Sequence, residues 1–205
     1  MPADVPRIAV FCSGQGTNLQ AILEATRGGR LRARVAIVVS DRAGVAALRR
    51  ARRAGVVACY VDPKQHPTHA GFERALIRLL KPQRVQLVCL AGFMRILSPV
   101  LVSRFRHRIL NIHPALLPAF PGAHAVRDAL AWGAKVTGVT VHFVDEHVDH
   151  GPIILQEAVP VKPRDTEATL RARIHRVEHR PYPKAIGLVL TGRTRLTGRR
   201  VYWKA

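Results

Sequence analysis

Apolar positions along this chain fall into two alternating patterns. The runs RIAVFC (7–12), ARVAIVVS (33–40), VVACYV (56–61) and QLVCLAG (86–92) are short, rich in Val and bounded by Gly or polar turns, as expected of buried strands. Between them NLQAILEATR (18–27), GVAALRRARRAG (44–55) and HAGFERALIRLLK (69–81) carry apolar residues at helical spacing. This alternation predicts an α/β fold, an open, twisted, mostly parallel sheet with flanking helices. RILNIHP (108–114) continues the series as a fifth strand.

Beyond that strand the pattern changes. ALLPAFPGAHAV (115–126) holds two prolines and a glycine and reads as an ordered loop, followed by a helix in AVRDALAWG (125–133). VTGVTVHFV (136–144) and GPIILQEAVPV (151–161) read as two longer, antiparallel strands joined by the acidic loop DEHVDH (145–150). DTEATLRARIHRVEHR (165–180) predicts a helix capped by Asp165 or Thr166, with Glu167 in its first turn. The tail LTGRTRLTGRRVYWKA (190–205) predicts a small hairpin. No linker, repeat or low-complexity block interrupts the chain, and 205 residues suit one domain with a continuous core.

Composition narrows the setting. The cysteines Cys12, Cys59 and Cys89 are odd in number and lie in apolar runs, so reduced core thiols in a cytoplasmic protein are expected. No apolar run approaches the roughly 20 residues of a bilayer span, and no membrane association is expected. The formal charge of +20 raises nucleic-acid binding as a possibility. Its arginines are scattered along helices, and aromatics are only 5%, too few for base-stacking platforms. A solvated basic surface that attracts small anionic substrates is the preferred reading, with no specific nucleic acid as partner.

Two stretches suggest chemistry. In NIHP, side chains two apart on a strand share a face, so Asn111 and His113 project together while Ile112 faces the core. The turn SGQGTN (13–18) joins a strand to a helix, where unpaired N–H groups and the helix dipole suit a phosphate. Ser13, Thr17 and Asn18 add side-chain donors, although Leu19 stands where a dinucleotide fingerprint has its third glycine. No metal site is expected: histidines and cysteines form no paired cluster at ligand spacing, and HVDH (147–150) is the nearest approach.

Taken in order, SGQGTN, LAGFMRILSP, LNIHPALLPAFPG, TGVTVHFVDEHVDHGPIILQ and RIHRVEH resemble the phosphoribosylglycinamide formyltransferases, a folate-dependent family of purine synthesis, from about Ile8 to Lys184. The resemblance implies a Rossmann-like formyltransferase fold. It also implies transfer of the formyl group of 10-formyltetrahydrofolate, without a metal, to the amine of 5′-phosphoribosylglycinamide on the route to IMP. Asn111 and a protonated His113 would stabilise the oxyanion of a tetrahedral intermediate, and Asp149 would raise the His113 pKa. Gly16, Thr17, Asn18 and Glu178 match the phosphoribosylglycinamide contacts, whereas Met94, Arg95, Ile96, Leu97, Asn111 and Val144 match the folate pocket. The half at about 1–100 would then hold the phosphoribosyl group, and the half at about 101–205 the folate and the catalytic residues. His142 lies near the matched site without an assigned role.

Three positions depart from the family pattern. His69 stands where some members direct an arginine to the folate tail, a weaker candidate for that contact. Gln15 replaces a common Asn. Pro181 replaces an aliphatic residue and is expected to distort the helix end near Glu178. Other readings are a hydrolase that passes the formyl group to water, a methionyl-tRNA formyltransferase, and a basic RNA-binding domain without catalysis. The first would be expected to add an N-terminal regulatory domain and the second a C-terminal domain.

Overall fold

The computed structural model describes residues 5–203, so the last two residues of the tail lie outside the described residues. β1 (Arg7–Phe11), β2 (Arg34–Ser40), β3 (Val57–Tyr60), β4 (Leu87–Leu90), β5 (Ile109–His113), β6 (Val136–Phe143) and β7 (Ile153–Pro160) form a seven-stranded sheet ordered β3-β2-β1-β4-β5-β6-β7. Neighbours from β3 to β5 pair in parallel, and β6 and β7 add on antiparallel. Strand alternation divides the core: Ile8, Val10, Cys12 and Cys89 pack on one face, and Ala9, Phe11, Val88 and Leu90 on the other. β3 is less buried than its composition suggests, because it forms the sheet edge, and Cys59 is only half-buried.

The flanking helices are α1 (Thr17–Arg27), α2 (Ala46–Arg53), α3 (His69–Leu80), α4 (Pro99–Arg104), α5 (Ala125–Ala131), α6 (Glu167–Glu178) and α7 (Pro181–Leu190). The N-cap of α6 is Thr166, whose hydroxyl accepts from Thr169 N at 3.3 Å, while Asp165 instead pairs with Arg173 at 2.6 and 2.7 Å. Pro181 does not distort α6. That helix has already ended at Glu178, and Pro181 takes the first position of α7, where its missing N–H is not needed. Arg180 adopts a helical conformation despite preceding proline. The buried Tyr182 of α7 shares its hydroxyl hydrogen between the carbonyls of Leu90 (2.8 Å) and Leu110 (3.1 Å), which ties α7 to the ends of β4 and β5. The tail forms the expected hairpin, β8 (Thr194–Thr197) and β9 (Arg200–Trp203).

Strand order reverses direction between β1 and β4. Loops leaving their C-terminal ends diverge there, the usual place for a ligand crevice in such a sheet.

Candidate active site

A cleft of about 370 Å³ opens beyond β4, β5 and β6. One wall is the segment that follows β4, with Met94, Arg95, Ile96 and Leu97; the opposite wall is the loop after β6, from Val144 to Asp149; Asn111 and His113 line the floor. Met94 and Ile96 are 62% and 66% exposed, so this wall presents apolar surface that none of the described residues covers.

The floor follows from strand geometry. Leu110 and Ile112 enter the core on one face of β5, leaving Asn111 and His113 together on the other. The antiparallel register sets Asn111 opposite His142 of β6. Asp149 completes the group from the loop, held in the left-handed region at φ 50°. The next loop position but one must be glycine, because a Cβ on Gly151 would lie 1.8 Å from the Phe143 carbonyl oxygen.

These four side chains form one network. Asp149 Oδ2 accepts from Gly122 N at 2.8 Å and lies 3.2 Å from His113 Nδ1; its Oδ1 accepts from Asn111 Nδ2 at 3.2 Å and lies 3.6 Å from His142 Nε2. His142 Nδ1 faces the Phe143 carbonyl at 2.8 Å, and its Nε2 lies 3.2 Å from Asn111 Nδ2.

His113 Nε2 lies 2.8 Å from the carbonyl of Phe120, a residue with φ 53°, a strained value for so bulky a side chain. Both ring nitrogens of His113 thus face acceptors, an arrangement that only the imidazolium form satisfies fully. Burial works against that cation. Asp149 does push the His113 pKa upward, as the sequence led us to expect, and so does the Phe120 carbonyl. Burial is the larger influence, however, and with the nearby His142 it leaves the histidine below its ordinary value. Burial also raises the Asp149 carboxyl, but His142, His113 and the Gly122 N–H outweigh it and hold the group below the usual carboxylate range.

The remaining predicted residues do not line this cleft. Gly16 caps α1 in the left-handed conformation (φ 71°), and a Cβ there would sit 2.8 Å from the Ala47 Cβ, so the approach of α2 requires glycine. Asn18 Nδ2 donates to Glu178 Oε2 at 2.7 Å, joining α1 to α6. Glu178 is buried, which raises its pKa against the opposing Asn18 hydrogen bond. Thr17 borders a separate groove of about 760 Å³ whose lining includes Arg30, Arg50, Arg176 and Lys184. His69 does not reach the cleft: its Nε2 lies 3.7 Å from Glu73 Oε1.

Two residues noted in the sequence make contacts that it did not assign. His142 joins the network through the pairing of β5 with β6. Ser13 joins the two groups, donating its hydroxyl to Asp41 Oδ1 (2.6 Å) and accepting from Met94 N (2.9 Å). Among the described residues, no group of three or more His, Cys, Asp or Glu is placed to hold a metal ion, and no helix is long and apolar enough to cross a membrane.

Known proteins with this architecture match in sequence as well. Residues 6–186 match the formyl transferase family, leaving the β8–β9 hairpin outside the matched segment. The chain is 47% identical over 199 residues to the trifunctional purine biosynthetic protein adenosine-3 of Gallus gallus, covering 97% of this chain but 20% of that protein. It is 41% identical to the phosphoribosylglycinamide formyltransferase of Bacillus subtilis, covering 90% of this chain and 94% of the relative. The crystal structure of glycinamide ribonucleotide transformylase 1 from Symbiobacterium toebii superposes with a TM-score of 0.97 at 54% identity, covering 99% of this chain and 96% of that one. The chain belongs to the formyl transferase family and, within it, groups with the phosphoribosylglycinamide formyltransferases.

Proposed function

We propose that this chain transfers the formyl group of 10-formyltetrahydrofolate to the amine of 5′-phosphoribosylglycinamide, a step of purine synthesis toward IMP. The observation that carries the reading is the convergence of Asn111, His113, His142 and Asp149 at the floor of an apolar-walled cleft. The amine nitrogen bonds to the formyl carbon, the bond from that carbon to the donor nitrogen breaks, and the proton lost by the amine balances the one gained by the donor. Asn111 and His113 supply N–H donors where the carbonyl oxygen gains charge, and one such donor is worth about 3 kcal/mol of barrier. Asp149 orients both and favours the charged histidine. The 3.2 Å contacts of the Asn111 amide are long, which suits a donor that must leave one partner for the substrate oxygen.

The folate donor suits the cleft beyond β4, β5 and β6. Met94, Ile96, Leu97 and Val144 offer apolar walls, and the adjoining main chain offers hydrogen bonds to a planar heterocycle. Arg95 lies on the same wall. Gly16, Thr17 and Asn18 at the start of α1 would hold the phosphate, with Glu178 toward the glycinamide. In this reading residues 1–205 work as one formyltransferase domain, the half at about 1–100 serving the phosphoribosyl group and the half at about 101–205 the folate and the chemistry. The protein's partners are then small molecules, acting in the cytoplasm, and its positive charge draws in the anionic substrates.

The test is an assay of the purified chain with 10-formyltetrahydrofolate and, in turn, phosphoribosylglycinamide, water alone and methionyl-tRNA as acceptors. Rapid transfer that depends on phosphoribosylglycinamide is expected. Faster formyl release to water, or transfer only to the tRNA, would replace this reading. Salt-sensitive RNA retention without any transfer would point to a binding protein.

A further inference from the structure

The β8–β9 hairpin contributes nothing to the chemistry above, yet its tip touches the loop that carries Asp149. Thr197 pairs with Arg200, so the turn consists of Gly198, at φ 58°, and Arg199. Glycine at the first turn position lets the strands reverse tightly and sends the arginine outward. The Arg199 guanidinium reaches the residue after Asp149: Nη2 donates to the His150 carbonyl at 2.5 Å, and Nη1 lies 2.9 and 3.1 Å from the His150 ring nitrogens. His150 Nδ1 also lies 2.9 Å from Asp145 Oδ2, at the other end of the same loop. The hairpin has its own footing, because Val201 packs against the main core and Lys184 of α7 lies 5.5 Å from the Trp203 ring.

We infer that the C-terminal hairpin braces the Asp149 loop and that Arg199 is a positioning residue for the site. Asp149 sits in the left-handed region, which aspartate tolerates better than most residues but which remains sparsely populated, so contacts on both sides help to hold it. On its cleft side the holding contacts are Gly122 N, Asn111 and His113. On its outer side Arg199 holds the adjacent carbonyl and ring together. A guanidinium does this in a way an ammonium cannot, because its planar fork offers several N–H groups in fixed directions. Loss of the brace leaves the phosphate turn and the Asn18–Glu178 pair untouched but frees the loop that forms one cleft wall.

The inference rests on the proposed reaction for its kinetic arm and on hydrogen exchange for an arm that does not. In the full chain, Arg199→Ala should lower kcat by about 3- to 10-fold, in line with a small displacement of a catalytic group, and raise KM for the folate while KM for phosphoribosylglycinamide stays constant. Amide exchange across 145–152 should quicken. Arg199→Lys should restore only part of both, and His150→Ala, which keeps the carbonyl contact, should do less harm than Arg199→Ala. Unchanged exchange across 145–152 in Arg199→Ala overturns the brace, as does an equal change in all three kinetic constants accompanied by a general fall in melting temperature. If the wild-type chain transfers no formyl group, the proposed function fails while the exchange measurement still decides the brace.

Discussion

Replacing Asp149 by Asn tests the electrostatic core of the site. The substitution keeps shape but removes a charge 3.2 Å from His113 Nδ1. For unit charges at that separation and an effective dielectric near 20, the lost attraction has an upper bound of about 5 kcal/mol. Both side chains are largely buried, at 4% and 11% exposure, so solvent screening reduces this only in part. Asn111, Gly122 and His142 also share the carboxylate, which lowers its effect on His113 alone. Neighbouring opposite charges in proteins are generally worth about 1–3 pKa units, so the protonated fraction of His113 at neutral pH should fall by about 10- to 1,000-fold. The sign follows from the donor role. In the proposed mechanism the cation is the active form, so kcat/KM should fall as pH rises through the histidine pKa, and removing Asp149 should move that fall to lower pH. The measurement is a pH–rate profile for folded Asp149→Asn, His113→Asn and the double variant. Asp149→Asn should recover activity on acidification and His113→Asn should not, while the double variant should be little worse than His113→Asn. Fully additive losses with no displacement of the profile would falsify the linkage.

Four further outcomes follow from particular contacts. Asn111→Asp places negative charge where the oxyanion develops and should cut turnover at least about 100-fold with the fold intact by circular dichroism. Gly16→Val meets Ala47 at 2.8 Å as well as a φ of 71°, so it should lower the melting temperature and raise KM for phosphoribosylglycinamide more than for the folate; equal rises would make the turn purely structural. Glu73 is fully buried and accepts from Ser98 N (2.5 Å), Ser98 Oγ and Leu101 N (3.0 Å), so Glu73→Ala should cost about 2–4 kcal/mol in chemical denaturation and weaken folate binding through the Met94–Leu97 wall just before Ser98. Folded His113 holds a proton less readily than the unfolded chain does, so its contribution to stability is full above the ordinary histidine pKa and is lost as pH falls from there through the lower folded value; His113→Asn should flatten that part of a calorimetric stability profile.

The sheet was legible because parallel strands covered on both faces need continuous apolar runs, and the helices between them need a stripe. Strand order leaves no such mark, which is why β3 reads as buried although it lies at the edge. α4 and α7 escape the pattern for a related reason. Each begins with proline, which reads as a breaker in isolation but is well placed in a first turn. Gly16 shows a different limit: its sequence context suggests room for a phosphate, while the Ala47 contact that also demands glycine comes from a helix about 30 residues away.

The site divides along the same line. Asn111 and His113 were readable together because two residues on one strand fix their own geometry. Asp149 and His142 join them only through pairings that alternation cannot specify: the register of β5 on β6, and a loop path set by a left-handed aspartate and a glycine pressed against Phe143. Local chemistry could suggest a donor pair, but not whether the histidine beside it is charged. That depends on burial set by the whole fold, opposed by one carboxylate and one carbonyl, and in this structure burial is the larger effect. A histidine poised below its ordinary pKa by burial, with an acceptor at each nitrogen, gains a proton most readily when a developing oxyanion adds negative charge nearby. The same burial that disfavours the cation in the free site therefore strengthens its interaction with the oxyanion, since both act at reduced dielectric.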